Sequence, residues 1–240
     1  MELSDILFFP LSTICIEVLA ALSGTYYLKK SSSRSKNAKY LVFFLWFTVF
    51  VEIVASYVIV AYYSDYKYFG FVEGTSFKNN YWLYNIYNVL SFSFFSFYFT
   101  SFLKNKYSKI TFYGLIVGFI LASMVGIIST DTFFETTPQV VTLSGTLLLF
   151  FSVIIFYFEL LRSDMLLQLR KFLPFYISVG VLVFNLCIAP IDILSQHFSI
   201  TDGNDLFVKL HLNVLFFANI FTYSTFTLGF LICSRKKKFY

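Results

Sequence analysis

Seven runs of roughly 20 or more apolar residues, separated by short charged turns, leave this chain few ways to fold. A hydrocarbon core about 30 Å thick is crossed by about 20 helical residues, and only a helix or a closed barrel satisfies its own backbone there. The runs lie near 6–28, 40–63, 81–103, 110–129, 139–161, 173–197 and 210–233. The expected class is therefore all-α: one polytopic domain, 1–240, with seven transmembrane helices. Composition agrees, since 58% of residues are hydrophobic, 13% are charged and the mean hydropathy is +0.74. A water-soluble globular domain is excluded on that balance. The longest loop, 64–80, has 17 residues, so no soluble catalytic or DNA-binding domain is expected beside the spans.

Charge orders the loops. Of the 18 basic residues, 15 fall in four clusters: Lys29 to Lys39, Lys104 to Lys109, Arg162 to Lys171, and Arg235 to Lys238. The alternate loops hold Glu2, Asp5, Asp65, Glu73, Asp131, Glu135, Asp202 and Asp205. By the positive-inside rule the N-terminus is outside and the C-terminus cytoplasmic, which requires an odd number of spans. Short juxtamembrane basic turns suit anionic lipid head groups better than nucleic acid, and no nucleic-acid partner is expected. The opening Met1-Glu2-Leu3-Ser4-Asp5 carries acids where a secretory signal is basic, so the first run is expected to stay as a span.

Four acids lie inside spans, where an ionisable group is costly and a functional candidate by default: Glu17, Glu52, Glu159 and Asp192. Glu159 stands at i,i+3 from Arg162, the spacing of an interfacial ion pair. Counting along each run puts Glu17 and Glu52 near the midplane and Asp192 nearer the outer face, two residues after Pro190. No Lys or Arg occupies a span interior, so these acids need hydrogen-bonding neighbours or a cavity. Asn85 and Asn88 in the third run, with His211 and Asn213 in the seventh, are candidates at the outer end. Thr13 and Gly24 share a stripe with Glu17, and Thr48 and Ser56 share one with Glu52. The expected site is an outward-facing polar pocket that binds a ligand, proton or cation through Glu17, Glu52, Asn85, Asn88, Asp192, His211 and Asn213. The plainer alternative is interhelical hydrogen bonding, worth about 0.6–2 kcal/mol each.

Catalysis has no positive support. The chain lacks Gly-x-Ser-x-Gly, His-Glu-x-x-His, P-loop and dinucleotide-binding patterns. Cys15, Cys187 and Cys233 stand apart, without ligand spacing, so neither a metal nor another cofactor is expected. Retinal attachment would need a buried mid-span lysine, whereas Lys209 is at an edge. Gly114, Gly118, Ala122 and Gly126 follow at i+4 steps in the fourth run, a stripe that suits helix packing in a homodimer or against the chain's own helices. A faint likeness between 82–86 and 210–214 hints at the paired repeats of small solute carriers.

Three segments carry a further resemblance: Lys39-Tyr40-Leu41 through Trp46 to Glu52; Leu83-Tyr84-Asn85-Ile86-Tyr87-Asn88; and Leu173-Pro174-Phe175-Tyr176 with Gly180 and Pro190. They resemble a group of uncharacterised bacterial seven-span proteins, similar in layout to the membrane sensor modules of some histidine kinases but lacking a kinase domain. That resemblance implies a layout and no functional residue. The leading expectation is a sensor or receptor-like module of a bacterial inner membrane that signals through a partner protein, cytoplasmic or membrane-bound. A small solute carrier or proton/cation-coupled transporter is the alternative, and an oligomeric membrane-perturbing effector a third.

Overall fold

The computed structural model describes residues 3–30, 35–129, 131–195 and 205–234. Among them the regular elements are all helical: α1 Leu3–Lys30, α2 Lys36–Ala55, α3 Tyr57–Tyr63, α4 Tyr81–Thr100, α5 Lys106–Ser129, α6 Gln139–Leu161, α7 Leu173–Ser195 and α8 Asp205–Cys233. Short 3-10 turns occupy Ser76–Lys78, Asp131–Phe134 and Asp164–Lys171. His197 and the basic run 235–238 lie outside the described residues.

Each apolar run of the sequence becomes helix. Six stretches are long and apolar enough to cross a membrane: Phe9–Lys30, Lys36–Tyr63, Lys106–Ile127, Gln139–Leu161, Leu173–Ile193 and Lys209–Cys233. The protein is thus a helical, multi-pass membrane protein by length and composition. α4 has the length, at 20 residues, but a more polar composition. Its polarity is one-sided, because Asn85, Ser93, Ser96 and Thr100 are buried while Ile86, Leu90 and Phe97 are exposed. That is the inverse of a soluble surface helix. The same apolar exterior recurs at Leu115 and Leu121 on α5 and at Leu147 and Phe151 on α6.

Two local features differ from a simple reading of the runs. The second run breaks at Ser56, whose amide (3.1 Å) and hydroxyl (2.8 Å) both donate to the Glu52 carbonyl. Here α2 ends and α3 begins, yet Ser56 keeps helical angles (φ −65°, ψ −11°) and the Val60 amide bonds back to its carbonyl at 3.3 Å, so the two run on as one apolar stretch, Lys36–Tyr63. Pro190, by contrast, sits inside α7 and the helix continues past it to Ser195.

The chain divides into two compact units, 49–156 and the remainder formed by 1–48 with 157–240. In the second of these α8 packs along both α7 and α1. Contact is closest at single glycines. A Cβ at Gly180 would lie 2.8 Å from Phe226, one at Gly229 2.6 Å from Tyr176, and one at Gly24 2.7 Å from Val42. Thr222 Oγ1 ties α8 to α7 by donating to the Gly180 carbonyl at 3.1 Å. Trp46 Nε1 donates to Thr25 Oγ1 at 3.1 Å between α2 and α1.

In the unit 49–156, α4 packs on α5 around Val89, Leu103, Phe112, Ile116, Phe119, Val141 and Leu148. Phe92 fills the space that a side chain at Gly145 would take. The stripe Gly114, Gly118 and Ala122 is exposed, with Gly126 half-buried. A Cβ at any of the three glycines would meet nothing within 4 Å. Within the chain, then, close packing falls on isolated glycines, and the regular stripe faces outward.

Candidate functional site

The seven residues expected to form one pocket fall in both units: Glu52, Asn85 and Asn88 in one, Glu17, Asp192, His211 and Asn213 in the other. Within the first, Tyr84 Oη donates to Glu52 Oε2 at 2.9 Å. Counting residues had put Glu52 near mid-span. Glu52 lies in the last turn of α2, inside the apolar stretch Lys36–Tyr63, and bonds to the first turn of α4. Tyr84 adjoins Asn85 in sequence, but nothing in the letters singled it out. The return of the chain over 64–80 brings its phenol to the carboxyl group.

Asn85 is 2% exposed, and its Nδ2 donates to the carbonyls of Phe133 at 2.8 Å and Thr136 at 2.9 Å. It therefore anchors the α5–α6 connection to α4, the work of a structural hydrogen bond. Asn88 is half-buried. In the other unit Glu17 is 2% exposed on α1. Asp192 is half-buried and lies within electrostatic reach of His211. The His211 ring also meets Phe207 edge-on, with centroids 6.5 Å apart. Asn213 is exposed.

Next to Glu52 the same unit holds a cleft of about 500 Å³, within the range of small-molecule sites. Its walls include Ile53, Ser56, Tyr57, Val60, Phe71 and Trp82. The chain builds it by folding 64–80 back over α3. Asp65 (φ 48°) and Tyr66 (φ 57°) both take the left-handed conformation, and the Tyr66 amide returns to the Ala61 carbonyl at 2.8 Å, closing α3. Such a φ costs a bulky residue about 1 kcal/mol, which the loop's remaining contacts offset.

Tyr57 is the centre of the cleft's polar frame. Its hydroxyl lies 2.5 Å from the Phe77 carbonyl and 3.1 Å from that of Asn79, and it accepts from Trp82 Nε1 at 3.3 Å. The Ser56 hydroxyl is engaged by the Glu52 carbonyl. These polar groups are used within the protein, so the cleft presents hydrocarbon and aromatic faces to a guest. Phe77 extends the aromatic wall edge-on to Trp82 (5.6 Å) and Phe134 (5.3 Å). Neither Tyr57 nor Trp82 was expected at the site. Their signal was compositional only, an aromatic-rich loop in a chain that is 22% aromatic throughout.

Such an arrangement offers an open apolar and aromatic surface beside a half-buried carboxyl–phenol pair. Among the described residues no three His, Cys, Asp or Glu side chains converge as metal ligands. Compared with models of known families, with curated proteins and with solved structures, the chain matches none of them.

Proposed function

We propose that the protein is a seven-helix sensor or receptor-like module of a bacterial inner membrane, with its N-terminus outside, its C-terminus cytoplasmic and its signal passed to a partner protein. α4 is taken as the seventh span because its polar residues are buried and its exposed ones apolar, as a helix between neighbours and lipid requires. The basic clusters then alternate with every crossing. The observation that carries the sensor reading is the aromatic cleft built on a broken helix. Val60 on α3 and Ile53 on α2 lie on either side of the Ser56 break, and both line it. A guest there touches both halves and changes the angle between them, a bistable element of the kind switches use. Glu52, whose carbonyl holds the break and whose carboxyl group holds Tyr84, couples that angle to α4.

The test is binding in nanodiscs, read by the fluorescence of Trp82 against Trp46→Phe as background. An apolar aromatic probe should quench or shift Trp82, and Val60→Phe, which fills the cleft without adding a second tryptophan, should abolish the effect. An unresponsive Trp82 across a panel of apolar probes would sink the reading.

The Glu52–Tyr84 pair favours a second reading, a proton- or cation-coupled carrier. Proteoliposomes loaded with a pH-sensitive dye decide between the two. Flux that Glu52→Gln abolishes makes the protein a carrier; silence under every gradient leaves the sensor.

A further inference from the structure

We propose that Asp164–Lys171, the turn between α6 and α7, is an interfacial anchor that seats on anionic phospholipid. α6 ends at Leu161 and α7 starts at Leu173, and both are long and apolar enough to cross a membrane. The turn between them is therefore held at the bilayer surface by its own ends. Connections in water favour Gly, Pro, Asn, Asp and Ser. This one instead exposes Met165 (53%), Leu166 (39%) and Leu167 (88%) in succession.

Local geometry explains why they stay exposed. The turn is 3-10, broken at Gln168 (φ −119°, ψ 23°), and too short to cover a face of its own. It meets α8 on one side. Its end is pinned, since Tyr176 Oη donates to the Arg170 carbonyl at 3.2 Å and the Phe172 amide to that of Leu169 at 3.0 Å. The pinning uses backbone, so the Arg170 and Lys171 side chains are exposed, as is Arg162 at the other end.

Arg162, with Glu159 three residues before it, stands at one end and Arg170 with Lys171 at the other, so cations outnumber the acids Glu159 and Asp164 around an apolar centre. Apolar side chains at the acyl boundary with basic ones among the head groups is the arrangement of a membrane-surface segment. Charge complementarity selects the lipid, because each cation near an anionic surface strengthens the association about fivefold. The bilayer also reaches this turn wherever α6 and α7 span it. This anchor stands apart from the ligand cleft and does not depend on it.

The native protein is placed in nanodiscs of phosphatidylcholine alone or mixed equally with phosphatidylglycerol, and hydrogen exchange is followed by mass spectrometry. Exchange over 164–171 should slow several-fold with phosphatidylglycerol, and Arg170→Gln with Lys171→Gln should remove that difference. A spin label at Leu167→Cys, with Cys15, Cys187 and Cys233 changed to Ala, gives an independent depth. It should collide more with oxygen than with a water-soluble nickel chelate. A label open to nickel in both lipids, or exchange indifferent to phosphatidylglycerol, overturns the proposal. Protection that rises with protein per disc instead of anionic lipid also overturns it, and assigns the patch to a second copy.

Discussion

A carboxyl group inside a membrane helix must find donors, a cavity or a cation, because hydrocarbon offers none of them. Glu52 finds a phenol, and that bond separates two roles one residue can have. Glu52→Gln keeps an oxygen for Tyr84 to donate to, so thermal unfolding in detergent should move little while any flux or ligand response that needs the acid disappears. Tyr84→Phe removes the donor and should cost about 1 kcal/mol, the net worth of one hydrogen bond, since the acceptor left behind is half-buried. Asn85 behaves differently. Asn85→Leu strands two carbonyls, Phe133 and Thr136, and should destabilise by about 2 kcal/mol or more. Asn88→Leu, at a half-buried position, should cost less. Equal losses at Asn85 and Asn88, measured by the same unfolding assay, would remove the structural role given to Asn85.

Helices in this chain meet where one lacks a side chain and its neighbour supplies a ring. Gly180 receives Phe226 and Gly145 receives Phe92, so Gly180→Leu and Gly145→Leu overpack and should each lose about 1–3 kcal/mol. Gly118→Leu enters open space and should leave the monomer's stability unchanged. If the outward stripe is a homodimer seam, that same substitution separates the copies. Cross-linking in membranes then shifts from dimer to monomer without any change in unfolding. The contrast between Gly118 and Gly180 is invisible in sequence. Both are glycines in apolar helices, and a regular i+4 stripe marks a surface that allows close approach without saying that anything approaches it.

Topology belongs to the molecule as a whole. With α4 crossing, loop 64–80 and the Lys104–Lys109 turn face opposite sides. Single cysteines at Lys78 and Lys106, in a chain cleared of its own three, test this. Lys78→Cys should react with an impermeant maleimide on intact cells, and Lys106→Cys only after permeabilisation. Reaction of both from outside would leave α4 short of crossing.

The helices were legible from the letters alone, because lipid leaves a run of apolar residues no other satisfied backbone, whereas the interruption at Ser56 and the start of α8 at Asp205 were not. All seven runs became helix, and the charged turns between them marked where helices end. Partnership was not legible. The helices are apolar over most of their circumference, so no stripe announces which face turns inward, and rotation about the axis decides what each polar group meets. Glu52 was brought to Tyr84, Asn85 was turned to the α5–α6 connection, and the glycine stripe of α5 was turned outward. Sequence determined the elements through their solvent, and tertiary structure decided their contacts through rotation about each helix axis, which hydrophobicity does not encode.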